Sequence, residues 1–328
     1  MGRQLKRLHK NIKFFYYVDA IFHTLIVPAQ WRRKRLTAKL AEANRGDIET
    51  LKDRVTYYNK LRAGAKLSKA TALSDVSLPK RRRVYYFDSQ RYLRYFQKNL
   101  CINFIWGDVT FVPEEPSLVK SRPIAPGNEN SVLLNLDKAR HFNFIEDSKS
   151  FQDKKDMLIG RANVTQPHRI RFYQQYFDHP MCDLGQINRS VNPQWIKEKL
   201  SIAKHLDYKF ILSLEGNDVA TNLKWVMSSN SLAVMPTPRF ETWFMEGRLI
   251  PDYHYVHIKD DYSDLVEKLS YYIEHTEEAI QIIRNAHEYI DQFRNKKRED
   301  LISLLVLEKY FYCTGQLEAR DEGLSEIN

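Results

Sequence analysis

Apolar residues come in short unbroken runs through the second half of the chain, and each run stops at turn-forming residues. Phe210 to Leu214 ends at Glu215-Gly216-Asn217-Asp218, and a helix-like stretch with Lys224 and Trp225 follows. Earlier, Met157-Leu158-Ile159 leads into Gly160-Arg161-Ala162-Asn163-Val164-Thr165-Gln166-Pro167-His168-Arg169, and then a helical run from Ile170 to Phe177. Runs at Ser231–Met235 and Tyr253–Ile258 complete the set. Unbroken apolar runs bounded by turns predict parallel strands buried on both faces. A strand emptying through a Gly/Asn/Asp turn into a helix start also aims backbone N–H groups at an anion. The alternation continues to about residue 296, and an apolar helical tail, Leu301 to Tyr312, closes the pattern.

The first half carries helical periodicity at its start. Leu5, Leu8, Ile12, Phe15, Phe22 and Ile26 recur at three- and four-residue steps, with Asp19 on the same stripe and His23 one turn beyond. Residues 36–60 predict a polar helix with Ile48, Leu51 and Val55 on one side, and residues 61–80 a loop. Strands are expected at Val84–Phe87, at Ile102–Trp106 ending in Gly107-Asp108, and at Leu118–Pro123.

At 328 residues the chain has length for two domains with separate cores. Three well-separated cysteines, Cys101, Cys182 and Cys313, argue against a disulfide framework and for a reducing compartment. The net charge of +10 is uneven: residues 1–100 hold 24 Lys and Arg against 7 Asp and Glu, and the remaining 228 hold 27 against 34. A uniformly basic nucleic-acid binder is excluded by that distribution. Residues 1–35, with Arg32-Arg33-Lys34-Arg35 behind the stripe, read either as a helix packed on the first domain or as a basic helix lying on an anionic membrane surface. The apolar stretch from Phe14 to Ala29 is too short and too charged for a comfortable membrane span, and no signal-type cleavage site follows it.

Two strand-to-helix turns bring Gly160, Arg161, Thr165 and Arg169 together with Glu215, Gly216, Asn217 and Lys224 as a diphosphate-binding set, since paired phosphates need backbone donors, hydroxyls and cations at once. Glu241, after Pro236-Thr237-Pro238, is expected at a helix start, as a sugar or ribose ligand or as a charge favoured by the helix dipole. Lys120, Ser121 and Arg122 form an acceptor-binding candidate, with His141 and Asp137 as weaker ones. No Asp-x-Asp stands at a strand end, so no metal ligands and no cofactor are expected.

The order of these segments resembles glycosyltransferase family 90, which includes protein O-glucosyltransferases and lipopolysaccharide-modifying enzymes. The likeness covers roughly residues 80–315 and is strongest over 150–290. Its motifs match at Gly160, Arg161, Thr165, Arg169, Glu215-Gly216 and Leu223-Lys224, but the order around Gly160 is altered and Asn222 stands where the family usually has Arg. The resemblance implies an α/β, GT-B-like fold: two Rossmann-like domains facing across a cleft, with an N-terminal helical arm and a C-terminal crossover helix. The implied boundaries are 1–148 for arm and acceptor domain, 149–296 for the nucleotide-sugar domain, and 297–328 for the helix packing back. It further implies inverting transfer of a hexose from a UDP-sugar co-substrate to a lipopolysaccharide or related lipid-linked glycan. Asp108 would be the catalytic base and Glu241 a donor ligand. The expected location is cytoplasmic, peripheral on the inner face of a bacterial inner membrane, with no nucleic-acid partner. Two rivals stand beside this: a non-catalytic basic membrane scaffold, and another nucleotide-dependent transferase.

Overall fold

The computed structural model describes residues 48–189 and 191–318, so the amphipathic stripe and the basic run at 32–35 lie outside the described residues. In chain order the elements are α1 (Ile48–Tyr58), β1 (Thr71–Ala72), α2 (Arg83–Leu93), β2 (Cys101–Ile102), β3 (Phe104–Ile105), β4 (Ser117–Val119), β5 (Ser121–Pro123), β6 (Ser131–Leu133) and α3 (Lys138–His141). There follow β7 (Lys155–Ala162), α4 (Pro167–Tyr176), β8 (Cys182–Gln186), α5 (Ile202–His205), β9 (Tyr208–Leu212), α6 (Leu223–Met227), β10 (Leu232–Met235), β11 (Phe240–Thr242), β12 (Val256–His257), α7 (Leu265–Glu274), α8 (Thr276–Asp291) and α9 (Lys296–Cys313). The chain divides into two compact units. Of the described residues, the first takes 48–140, 240–243 and 295–318, and the second takes 141–239 and 244–294.

The first unit is built on a parallel sheet ordered β3-β4-β6, with Leu118 between Phe104 and Val132. Two antiparallel pairs, β1-β2 and β5-β11, accompany it. Helix α9 is apolar nearly all round, with Ile302, Leu304 to Leu307, Tyr310 and Phe311 buried, as a helix enclosed by its unit must be. It is fixed to α1 through Arg54, whose guanidinium bridges Glu299 and the Tyr58 hydroxyl. The Tyr58 ring stacks on Trp243 at 3.8 Å between centroids, and the Trp243 indole donates to Glu299.

Three expectations for this unit change. Val84–Phe87 is helical, because Tyr85, Asp88, Ser89, Tyr92 and Leu93 are buried at helical spacing and that longer period outweighs four strand-favouring residues. The run at 102–106 breaks at Asn103, where β2 pairs with β1 and β3 pairs with β4. The expected strand at 118–123 is two strands in different sheets, changing over at Lys120.

The second unit holds a five-stranded, all-parallel sheet ordered β12-β10-β9-β7-β8. From β7 the chain steps outward to β8, then returns across β7 to β9 and goes on to β10 and β12. The direction of travel therefore reverses between β7 and β9, the place where open α/β sheets bind ligands beyond the strand ends. Phe210, Leu212, Val234 and Val256 face helices that contribute Phe172, Leu265, Leu269 and Ile282 to one buried cluster. Gly160 and Arg161 belong to β7 itself, where a turn was expected. A Cβ on Gly160 would sit 2.9 Å from Leu184 Cδ2 and 3.1 Å from Leu212 Cδ2, so the glycine lets side chains of both flanking strands close over the central one.

Candidate active site

The second unit gathers its polar groups at the reversal point. Helix α4 opens with Pro167 at its first position, which suits a residue lacking an N–H, and the N-cap Gln166 makes no side-chain cap. The first-turn N–H groups, beside the exposed hydroxyl-bearing Thr165, form an anion-attracting end. Arg169, one turn in, reaches across to the loop after β9. Its Nε donates to Glu215 O at 2.8 Å, one terminal nitrogen to Leu214 O at 2.7 Å and the other to Asn163 O at 2.8 Å. Burial pulls its pKa down, against the fields of Tyr173 and Glu215. A guanidinium is suited to this because its fork spans three carbonyls from two loops.

Gly216 lies against that fork, where an added Cβ would stand 3.6 Å from the Arg169 nitrogen. His168 meets Glu215 O at 2.8 Å and must be the donor, since the partner is a carbonyl; burial lowers its pKa below the usual imidazole value. Gln166 Nε2 donates to Asn217 Oδ1 at 3.0 Å. The Glu215 carboxylate accepts from the Arg239 backbone N–H at 2.8 Å and from its Nε at 2.9 Å. Loops from three adjacent parallel strands, β7, β9 and β10, are thus tied together. Arg169, Glu215, Gly216 and Asn217 are brought together by these contacts, and Thr165 precedes Gln166 in the chain.

Other candidates have different partners. Arg161 pairs with Asp183, 2.8 Å to the carboxylate and 2.7 Å to its carbonyl. Burial pushes Asp183 up, but hydrogen bonds from Lys197, Arg161 and Tyr208 outweigh it and hold the carboxyl below its ordinary range. Lys224 is fully buried, paired with the equally enclosed Glu246 and set 5.1 Å from the Phe244 ring. Glu241, expected at a helix start, lies in β11 of the first unit, where it accepts from Arg122 Nε at 2.7 Å and from Tyr57. Arg122 also donates to the carbonyls of Tyr57, Tyr58 and Ser131, so its donors are spent on the fold. Ser121 is equally interior, its hydroxyl bonded to both the N–H and the carbonyl of Val109.

Asp108, in the first unit, is 28% exposed and receives Lys120 Nζ at 2.7 Å, while Lys120 itself is only 2% exposed. Gly107 before it has φ of +118°, a backbone state that glycine tolerates, and the Arg82 guanidinium lies over it and donates to the Trp106 carbonyl. Asp137 stands near this pair; burial pushes its carboxyl up, with Arg140 and Lys120 opposing and Asp108 adding to the rise. His141 is buried in the second unit.

Sequence reasoning missed Gln166, His168 and Arg239 as members of the cluster. The signal for the first two was Pro167, which marks the helix start they flank. For Arg239 it was its place just past β10, a strand whose loop must neighbour that of β9. Among the described residues no three or more of His, Cys, Asp and Glu gather as a metal-holding group, and no helix is long and apolar enough to cross a membrane.

Comparison with known proteins bears on this geometry. Residues 142–310 match the model of glycosyl transferase family 90. The chain is 44% identical over 316 residues to a protein of Dichelobacter nodosus named O-glucosyltransferase LpsA, covering 95% of this chain and 98% of that one.

Proposed function

Because the chain belongs to glycosyl transferase family 90 and is a glycosyltransferase, we propose that it moves a hexose, with inversion and without a metal, from a UDP-sugar to a lipopolysaccharide or related glycan. The observation that carries this reading is the joining of the α4 N-terminus, Arg169 and the Glu215-Gly216-Asn217 loop at the reversal point of a parallel sheet. That is where an α/β sheet holds a phosphate-bearing ligand. The name of the Dichelobacter relative makes glucose the first sugar to test. The GT-B arrangement belongs to the same reading, with the second unit taking the donor and the first the acceptor, and so does peripheral attachment to an anionic membrane.

In the step proposed, the acceptor hydroxyl oxygen attacks the anomeric carbon as its proton passes to the Asp108 carboxylate. The bond from that carbon to the diphosphate oxygen breaks, and its electron pair leaves with the nucleotide. The α4 N–H groups stabilise that departing charge, and Arg169, which ties the loop after β9 to the α4 start, adds the field of its cation. Asp108 suits the base role because it is part-exposed at a strand end and accepts its hydrogen bond from an ammonium.

The test is transfer of labelled glucose from UDP-glucose, in excess chelator, to glycan from cells lacking this protein, paired with calorimetric titration of UDP, ADP and GDP. Product formation with selective UDP binding is expected. Binding of none of the three, or activity that returns only with manganese, refutes the donor assignment.

A further inference from the structure

We propose that Lys120 is a positioning residue for Asp108, holding that carboxylate ionised and aimed while binding neither donor nor acceptor; this rests on Asp108 being the base. Lys120 is the single residue between β4 and β5, where the chain leaves the parallel sheet for the antiparallel pair. Ladder partners pin it on both sides: Val119 stands opposite Leu133, and Ser121 opposite Thr242. Its Cα therefore has little room to drift. The ammonium lies beneath the part-exposed Asp108 at 2.7 Å, so it presents its charge to the carboxylate from the interior.

The rest of the loop is clamped to match. Ser121 binds both backbone groups of Val109, the residue after Asp108. Arg82 binds the Trp106 carbonyl and covers Gly107, the residue before it. With the backbone held on either side, the remaining freedom of Asp108 is its side-chain rotamer and its protonation, and Lys120 acts on both. Charged groups facing the carboxylate or its loop include Lys120 at the β4–β5 junction, Asp137 after β6 with Arg140 on it, and Arg82, ahead of α2, on the Trp106 carbonyl. Lys120 acts on both carboxylates, opposing the rise of Asp137 to which Asp108 adds, so removing it strengthens the like-charge influence of Asp137 on Asp108. The acceptor's proton ends on Asp108.

An opposite charge at this range lowers a carboxyl by about 1–3 pH units. In Lys120→Met the acidic limb of the kcat profile for glucose transfer is therefore expected to rise by about one unit or more, with kcat reduced and the donor KM unchanged. Lys120→Arg should restore the limb towards the wild-type position. Asp137→Asn should move it the opposite way, to lower pH, and this variant serves as the test if Lys120→Met fails to melt cooperatively. An unmoved limb in Lys120→Met, or in Asp137→Asn where the first does not fold, overturns the assignment. Near-normal transfer by Asp108→Asn removes the base and this role with it. An inactive Asp108→Asn beside an unmoved limb overturns Lys120 alone.

Discussion

Replacing Lys224 with methionine separates a structural ion pair from a ligand-binding lysine. The ammonium is fully buried and its partner Glu246 almost so, with the Phe244 ring alongside. Methionine keeps the stem but leaves Glu246 without its cation in the interior of the second unit. Breaking a buried pair from one side costs about 3–5 kcal/mol. For a unit of this size each kcal/mol moves the melting point by roughly 2–4 °C, so a fall on the order of 10 °C is expected. The assay is calorimetry of the full chain with and without UDP. Lys224→Met should melt early yet still gain stability from UDP at a temperature where it is folded. The paired change Lys224→Met with Glu246→Leu should recover much of the loss, because no lone charge remains. If the single variant melts within about 2 °C of the parent and no longer responds to UDP, Lys224 faces a ligand and the pairing argument is wrong.

Arg169→Ala should weaken UDP binding about ten-fold by calorimetry, because the loop after β9 loses its tie to the α4 start and the site loses a cation; Arg169→Lys should fail to restore it, because one ammonium cannot serve three carbonyls. Gly160→Ala should destabilise the second unit by about 1–3 kcal/mol through overlap with Leu184 and Leu212, read as an earlier urea midpoint with little change in slope. Asp88 gives a pH signature. Burial pushes its carboxyl up to about 6, with the Lys138 charge and N–H opposing. Between the ordinary carboxyl pKa and this value the native state holds the proton that the unfolded chain has lost, so stability falls as pH rises through that window. Asp88→Asn should remove that loss, gaining on the parent in melting temperature from pH 4 to pH 7; parallel curves would refute it.

The strands β9 and β10 were legible because an apolar run bounded by Glu-Gly-Asn-Asp or by Pro-Thr-Pro has few other readings. The turn after β9 also pointed to Gly216, and the helix start that Pro167 marks after β7 pointed to Arg169. Legibility failed where long-range partners decide. Arg161 and Lys224 look like phosphate ligands in sequence, and only the folded chain shows them paired with Asp183 on the neighbouring strand and with Glu246. Glu241 was misread for a related reason: its segment joins a strand more than a hundred residues earlier, and no local pattern announces that pairing. The strand reading at Val84–Phe87 failed because four residues were weighed without the six that follow them in the helix.

The ribbon of four residues at 240–243 has a consequence for how this polypeptide is made. The first unit needs it, with Glu241 satisfying Arg122 and Trp243 lying on Tyr58, and also needs α9 from the far end. A ribosome that has released the first hundred and forty residues has therefore delivered a unit still short of a strand and a helix. The later-encoded sheet finishes earlier, and dissecting the molecule into contiguous halves would leave Arg122 and Tyr58 exposed in one of them.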